Sequence, residues 1–283
     1  MTISIRFWGV RGSIATPGPE TADTGGNTSS VELRCGDTRL LLDAGTGLLK
    51  LGDQLLKEGV EESTILLSHL HWDHIQGLPF FAPLYRPDTR LSVMGQRGEH
   101  ASLRDVLARQ MSSPVFPVRL EELGLRLETR ELKSGERFDV GPLQVTAQKL
   151  NHPGGVLAYR VDYQGASLVY ATDTEHYACV DPALLKLAER ADLLIYDSQY
   201  TPEEYRGERG PSRLGWGHST FEEGARLARA AGVGRYVMFH HDPRRSDDAL
   251  LEIEARAQAL FAPTVAAREG MSIEIDAAAR RAA

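Results

Sequence analysis

Residues 68–77 read S-H-L-H-W-D-H-I-Q-G and follow directly after the apolar run Ile65-Leu66-Leu67. The stretch contains three histidines and one aspartate within six positions: His69, His71, Asp73 and His74. The segment before it, residues 63–67, has few polar side chains, which is typical of a strand buried on both faces. Imidazole nitrogens and carboxylate oxygens are ligands that suit Zn²⁺, Mn²⁺ or Fe²⁺. We therefore predict a metal site where this strand ends, rather than polar turn residues with one capping histidine.

Four other candidate site residues each follow a β-like run elsewhere in the chain. They are Asp43 in L-L-L-D-A-G-T-G, His152 in L-N-H-P-G-G, Asp173 in V-Y-A-T-D-T and His240 in V-M-F-H-H-D-P. Taken alone, Asp43 can cap a helix, His152 can be a turn residue before proline, and Asp173 can form an Asx turn. His240 and His241 are neighbours, and side chains alternate along a strand, so only one of them faces a given side.

The rest of the chain alternates short β-like runs with Gly-rich turns and helical stretches. Predicted strands cover residues 4–8, 31–34, 39–42, 63–67, 90–93, 193–196 and 234–239, with several short strands over 125–170. Predicted helices cover residues 45–59, 103–111, 181–190, 220–231 and 247–261. This β-rich order with helices in both halves predicts a mixed α/β sandwich. No linker is polar enough to divide the chain, so we predict a single domain over residues 1–283.

Composition limits the compartment and the partners. No apolar run approaches the roughly 20 residues of a membrane span, and no signal peptide is evident, so we expect no membrane partner. The chain has only two cysteines, which argues against a disulfide framework. We therefore expect a cytoplasmic location. The net charge is -7, so the overall field gives no help in binding a polyanion, although a local basic patch is compatible with it.

The pattern H-x-H-x-D-H, with the four other residues in order, resembles the metallo-β-lactamase superfamily. That resemblance implies an αββα four-layer sandwich with two metal ions, Zn²⁺ as the first expectation and Mn²⁺ or Fe²⁺ as alternatives. It assigns the metal ligands to two groups joined by a bridging Asp173: His69, His71 and His152 for one ion, and Asp73, His74 and His240 for the other. The ions would share a hydroxide, and Asp43 would hydrogen-bond the ligands or the bridging water. By the family's register His240 is the ligand, and His241 either supports the ligands from behind or faces the substrate.

Two further stretches resemble the tRNase Z branch of that superfamily: L-L-I-Y-D-S-Q-Y, which contains Asp197, and G-W-G-H-S-T, which contains His218. A carboxylate can fix the tautomer of an imidazole and stabilise its protonated form, so we expect Asp197 to orient His218 as a general acid. A turn role for Asp197 and an N-cap role for His218 are the structural alternatives. The branch usually has glutamate where Asp197 stands. The branch also usually carries an arm that grips tRNA between its third and fourth motifs. Here only twenty residues separate His152 from Asp173, which leaves no room for such an arm. Because the chain is also acidic, we expect no large nucleic acid partner.

The N-terminal stretches F-W-G-V-R-G-S and G-G-N-T-S-S resemble cyclic nucleotide phosphodiesterases of the anti-Pycsar type, which are homodimers acting on small nucleotides. We therefore expect a homodimeric dinuclear phosphodiesterase that converts 3',5'-cyclic nucleotides to linear monophosphates, with His218, Asp197 and Asp73 as catalytic residues. Asn27, His176 and His241 are the candidate substrate-binding residues. An RNA-processing nuclease or 2',3'-cyclic phosphodiesterase is the alternative, and a metal-binding sensor without turnover is the third interpretation.

Overall fold

A computed structural model describes residues 2–124 and 126–276. The strands are β1 (Thr2–Gly9), β2 (Ser30–Cys35), β3 (Thr38–Leu42), β4 (Glu62–Leu66), β5 (Arg90–Gly95), β6 (Arg126–Glu131), β7 (Arg137–Val140), β8 (Leu143–Leu150), β9 (Val156–Tyr163), β10 (Ala166–Ala171), β11 (Leu193–Asp197), β12 (Arg235–Phe239), β13 (Thr264–Ala266) and β14 (Ser272–Asp276). One sheet has seven strands in the order β14-β1-β2-β3-β4-β5-β6, and the second has seven in the order β13-β12-β11-β10-β9-β8-β7.

Seven α-helices are found among the described residues. They are α1 (Leu48–Lys57), α2 (Trp72–Ile75), α3 (Leu103–Gln110), α4 (Pro182–Ala188), α5 (Pro202–Arg206), α6 (Phe221–Ala231) and α7 (Asp247–Leu260). The sequence explains their limits: the Thr220 hydroxyl accepts a hydrogen bond from the backbone N–H of Glu223 to begin α6, and Gly232 ends it in the left-handed conformation. Among the described residues, no helix is both long and apolar enough to cross a bilayer.

Three buried clusters define the layers. The central cluster lies between the sheets and draws on both, for example Ile5 and Leu33 from the first and Tyr170 and Phe239 from the second. A second cluster packs α1 and α3 on the outer face of the first sheet. A third packs α4, α6 and α7 on the outer face of the second. The predicted αββα four-layer sandwich is therefore confirmed.

The predicted elements are found within a few residues of their expected bounds, but α2, α5, β13 and β14 were not predicted. No strand was expected after α7, yet β13 and β14 both follow it, and β14 pairs with β1. Its alternation of exposed and buried side chains was the missed signal. The predicted run of strands over 125–170 begins at Leu125, which lies outside the described residues, as do residues 1 and 277–283. The single domain over 1–283 stays a proposal, which the shared central cluster supports.

The strands place one end of each sheet at a common edge. β3 and β4 run parallel in the first sheet, and β10, β11 and β12 run parallel in the second. β8 points the same way as β10, because each is antiparallel to β9 between them. The predicted site residues stand at these carboxyl ends: Asp43 after β3, residues 69–74 after β4, His152 after β8, Asp173 after β10, Asp197 at the end of β11 and His240 after β12.

Candidate metal centre

The first group of ligand-type side chains consists of His69, His71 and His152, whose ring nitrogens lie within 4.8 Å of one another. His152 Nε2 is 3.0 Å from His71 Nδ1. The Ser68 hydroxyl donates to a carboxylate and so can only accept from His69 Nδ1–H, at 3.1 Å. That leaves His69 Nε2 unprotonated, and this buried atom has no hydrogen-bond partner among the described residues. A buried lone pair facing two other imidazoles is the arrangement expected of a metal ligand.

The second group consists of Asp73, His74, Asp173 and His240, again within 4.8 Å and all buried. His74 Nε2 and His240 Nε2 are 3.3 Å apart, and each is 3.2 Å from Asp73 Oδ2. Two carboxylates and two imidazoles that converge in a buried space form a donor set suited to a divalent cation.

Asp173 lies between the two groups and presents one oxygen to each. Its Oδ1 is 3.2 Å from both His74 Nε2 and His240 Nε2. Its Oδ2 is 3.8 Å from His69 Nε2 and 4.0 Å from His152 Nε2. The geometry of a carboxylate shared by two cation sites is therefore present, and the cluster is suited to a dinuclear metal centre.

Hydrogen bonds from outside the two groups aim the imidazoles into them. His74 Nδ1–H donates to Asp43 Oδ2 at 2.8 Å, and His240 Nδ1–H donates to Gln199 Oε1 at 2.9 Å. His152 Nδ1–H donates to the carbonyl oxygen of Gly217 at 2.8 Å. In each ring the proton on Nδ1 leaves Nε2 as the lone-pair donor facing the cluster, which is how metal-binding histidines are usually held. The residues present thus fit a pair of divalent cations.

Burial and the nearby carboxylates act in opposite directions on the histidines of the two groups. Burial lowers the pKa of His69 well below its ordinary value, and that keeps the imidazole neutral. Burial would also lower the pKa of His74, but the nearby carboxylates of Asp173, Asp73 and Asp43 raise it well above its ordinary value. The same surplus of buried carboxylate charge would attract a divalent cation.

Three of these residues have a backbone conformation that is uncommon for non-glycine residues. Asp43, Asp173 and His240 have φ angles of 60°, 51° and 59°, in the left-handed region. Each stands one or two residues after a strand, so the positive φ turns the side chain toward the edge where the sheets meet. Such backbone strain clusters at functional sites, where the surrounding structure maintains it.

The predicted acid pair forms beside the two groups. His218 Nδ1–H donates to Asp197 Oδ2 at 2.8 Å, and Asp197 Oδ1 accepts the backbone N–H groups of Gln199 and Ser219. Burial alone would lower the pKa of His218, but Asp197 opposes it and, with Asp173 and Asp73, raises that pKa to about 9. Asp197 is shorter than the glutamate of the tRNase Z motif, yet it reaches the ring at hydrogen-bond distance.

The candidate substrate-binding residues lie outside this constellation. The Asn27 side chain donates to Glu269 Oε2 at 3.0 Å. His176 Nδ1 is 2.9 Å from the Ser219 hydroxyl, and its ring lies 4.4 Å from that of Tyr205 with the two planes tilted by 40°. His241 is buried and its Nε2–H donates to the carbonyl oxygen of Ala267. The structure therefore does not bring these three side chains together with the ligand groups, because each is engaged by a neighbouring element.

Sequence reasoning missed several residues that hold the site. Ser68 and Tyr170 donate to Asp43, whereas Gln199 orients His240. Ser13 donates its backbone N–H to Asp73 Oδ2 at 2.7 Å. Ser68 directly precedes His69 in the stretch that carries the first ligands, and this position was a usable signal. The other contacts join segments far apart in the chain, and no local pattern marks them.

The sandwich is similar to solved structures over nearly its whole length. The metallo-beta-lactamase fold protein YhfI from Bacillus subtilis gives a TM-score of 0.73 at 21% identity, covering 97% of this chain and 99% of that one. A diphosphatase from the PhnP family gives 0.70 at 17% identity, covering 97% and 98%. Human tRNase Z, short form, gives 0.66 at 22% identity, covering 95% and 98%. At these identities the similarity shows the fold alone.

Sequence relatives carry the name ribonuclease Z. That of Thermoplasma acidophilum is 23% identical over 323 aligned positions, covering 96% of each chain. That of Halobacterium salinarum is 27% identical over 322 positions, covering 97% of this chain and 98% of the relative.

These relatives overturn one expectation from the sequence. The prediction that no large nucleic acid is a partner is wrong, since the relatives that match over nearly the full chain are named ribonuclease Z. The physical reason is that a net charge of -7 sums over the whole surface and says nothing of a local patch. The short β9–β10 hairpin likewise concerns only the segment between His152 and Asp173. The homodimer is not shown.

A family model described as "Beta-lactamase superfamily domain" matches residues 38–241. This range includes all the metal ligands that the resemblance assigned, together with Asp197 and His218. The resemblance is thereby confirmed, and the chain belongs to the beta-lactamase superfamily.

Proposed function

We propose that this protein is a metal-dependent hydrolase of phosphodiester bonds. The observation that carries the proposal is the place of the His218–Asp197 pair: the His218 ring lies 5.0 Å from that of His240 and 5.3 Å from that of His152. A phosphodiester requires positive charge at its phosphoryl oxygens and a proton for its leaving alkoxide. The ligand groups and the acid pair together supply both. Membership of the superfamily does not by itself name a substrate.

The ligand groups set where the phosphate would bind. Two divalent cations held there would neutralise the phosphoryl charge and lower the pKa of the attacking water. Asp173 fixes the separation of the two positions because it offers one oxygen to each group. Asp73 is itself held by the backbone N–H of Ser13 at 2.7 Å, so the N-terminal loop buttresses a ligand that we propose to be essential for catalysis.

His218 is the proposed general acid. The Asp197 carboxylate opposes the effect of burial and raises the pKa of the His218 ring, which favours its protonated form at neutral pH. Its Nδ1–H remains donated to Asp197, so the proton on Nε2 is the one available to the leaving oxygen. As the phosphorus–oxygen bond breaks, the departing alkoxide takes this proton, and His218 regains one from solvent. Asp197 holds the Nδ1–H and stabilises the imidazolium without itself accepting the proton.

A 3',5'-cyclic nucleotide is the substrate that we propose first. The N-terminal stretches that carry the resemblance to cyclic nucleotide phosphodiesterases border the site: Ser13 contacts Asp73, and Thr28 hydrogen-bonds Thr46 and Gln76 behind the opening motif. A small cyclic phosphodiester also needs no recognition beyond the site itself. The product would be the linear nucleoside monophosphate.

An RNA phosphodiester is the second candidate. It is favoured by the ribonuclease Z relatives at 23–27% identity over nearly the full chain. The same acid pair and ligand groups serve either substrate, because the chemistry at phosphorus is the same.

The test is a substrate panel analysed by chromatography. The Zn²⁺- or Mn²⁺-loaded protein would be incubated with 3',5'-cyclic AMP, GMP, CMP and UMP, with 2',3'-cyclic nucleotides, and with an RNA carrying a 3' extension. The Asp73→Ala/His74→Ala variant is the control. We expect metal-dependent formation of linear monophosphates from the 3',5'-cyclic compounds. Cleavage of the RNA alone would select the second candidate, and no cleavage of any phosphodiester would refute the proposed function.

A further inference from the structure

An exposed tryptophan stands at the rim of the metal centre. Trp216 is 51% exposed and lies between two glycines in the segment that leads to His218. Its neighbour Gly217 accepts the hydrogen bond from His152 Nδ1 through its carbonyl oxygen. Consecutive Cα atoms are about 3.8 Å apart, so the indole is attached one residue from a contact to a metal-ligand histidine.

A guanidinium covers one face of this indole. Arg213 Cζ lies 4.3 Å from the centroid of the Trp216 ring and 5.8 Å from that of Tyr200. The Tyr200 ring in turn meets the His218 ring edge-on, with centroids 5.8 Å apart. Arg213 therefore links the indole to the acid pair and fixes one side of it, while more than half of the side chain remains open to solvent.

A buried carboxylate holds the segment that carries the indole. Glu175 is fully buried, and its Oε1 accepts the N–H of Gly215 and the hydroxyl of Tyr205, both at 2.7 Å. Its Oε2 accepts the N–H of Gly217 at 2.8 Å. Gly217 has φ +86°, and a Cβ there would lie 2.3 Å from His152 Nδ1. The peptides on both sides of Trp216 are thus fixed, and the side chain is displayed instead of packed inward.

We infer that Trp216, backed by Arg213, is a stacking platform for the nucleobase of the substrate, an inference that rests on the proposed function for its class of ligand. Every base has a π-face, and stacking on an aromatic side chain contributes affinity without reading sequence. The cation behind the ring strengthens such stacking. A fixed indole loses little freedom when a base binds, because its segment is already ordered by Glu175.

The test compares two ligands of equal charge that differ in the base. Binding of AMP and of ribose 5-phosphate to the Zn²⁺-loaded protein would be measured by calorimetry for the wild type, Trp216→Leu and Trp216→Phe. Phe80→Leu, which removes another exposed aromatic ring, is the matched control. We expect Trp216→Leu to weaken AMP binding roughly 5- to 150-fold, the usual range for loss of one stacked base, and to leave ribose 5-phosphate within about 2-fold. Trp216→Phe should restore most of the AMP affinity.

The binding test does not depend on whether the protein hydrolyses a phosphodiester. AMP binding that is equal in wild type and Trp216→Leu, or a wild type that binds ribose 5-phosphate as tightly as AMP, would overturn the platform even if phosphodiesters are hydrolysed. A base preference that disappears only in Trp216→Leu would uphold the platform even if every phosphodiester in the substrate panel is left intact. Failure of the platform and failure of the proposed function are therefore distinguishable.

Discussion

Replacement of Asp43 by asparagine tests how the buried carboxylate supports the metal centre. Asp43 Oδ1 accepts the backbone N–H of Ser68 at 2.7 Å. Its Oδ2 accepts the hydroxyl of Ser68 at 2.9 Å, the hydroxyl of Tyr170 at 2.7 Å and Nδ1–H of His74 at 2.8 Å. An asparagine has a single oxygen. In either orientation of the amide, its NH₂ group therefore points at a donor.

The expected loss of metal affinity in Asp43→Asn follows from the lost hydrogen-bond acceptor. The amide would place its oxygen where most donors converge and its nitrogen against the N–H of Ser68, so at least one hydrogen bond to a charged acceptor is lost. Such a bond contributes about 1.5–3 kcal/mol. His74 also loses the carboxylate that enhances its basicity as a ligand. Substitution of a residue that hydrogen-bonds a metal ligand usually lowers the affinity for the metal by 10- to 100-fold. This corresponds to about 1.4–2.7 kcal/mol, which agrees with the energy of the lost hydrogen bond.

The assay is a metal titration in competition with a chelator of known affinity, for the wild type and Asp43→Asn. Asp53→Asn on the exposed face of α1 makes the same chemical change without touching the site and is the control. We expect the more weakly held of the two ions to bind 10- to 100-fold less tightly in Asp43→Asn, with the control unchanged. Affinities within about 2-fold of the wild type for both ions would refute the reasoning that Asp43 orients His74.

Three further predictions test other parts of the site. His218→Ala should lower kcat for a phosphodiester by roughly 10²- to 10⁴-fold while the metal content, measured by mass spectrometry, stays as in the wild type; an unchanged kcat would exclude the general-acid role. Burial lowers the pKa of His176 to about 4, so the unfolded chain, with a pKa near 6.5, binds more protons between these values and stability falls as the pH drops through that window. After allowance for partial exposure, the His176 contribution to the free energy of unfolding falls by about 1 kcal/mol between pH 7 and pH 5. The free energy of unfolding in urea should therefore fall by about 1 kcal/mol less over this range in His176→Asn than in the wild type. Glu175→Gln should reduce kcat/KM roughly 10-fold, because its amide nitrogen would face the N–H of Gly215 or Gly217 and loosen the segment before His218. Equal kcat/KM values in variant and wild type would show that Glu175 does not hold this segment for catalysis.

Much of the fold was predictable because strand ends and site residues coincide in the sequence. The apolar run over 63–67 gave the strand before the opening motif, and β4 was found at Glu62–Leu66. The helix predicted over 45–59 was found at Leu48–Lys57, where buried side chains recur with helical spacing. β14 was missed although its alternating side chains are a local strand signal. Its partner was not predictable, because the pairing with β1 joins the two ends of the described chain.

The candidate site was predictable for the residues that lie in motifs and unpredictable for those that support them. Asp173 lies in a motif and presents an oxygen to each ligand group. By contrast, the direction of His241 depends on packing against Ala267 after β13, and the side chain of Asn27 is taken by Glu269 from the far end of the chain. Such engagements are tertiary contacts. A short sequence window contains only one of the two partners.

The measurement that tests the central claim most directly is phosphodiester hydrolysis as a function of bound metal. The protein would be stripped with a chelator, reloaded with increasing equivalents of Zn²⁺ or Mn²⁺, and assayed with 3',5'-cyclic nucleotides and RNA at each step. We predict no activity in the stripped protein and a rise that is complete when two equivalents are bound. Full activity without metal, or no phosphodiester hydrolysis with both positions filled, would contradict the account.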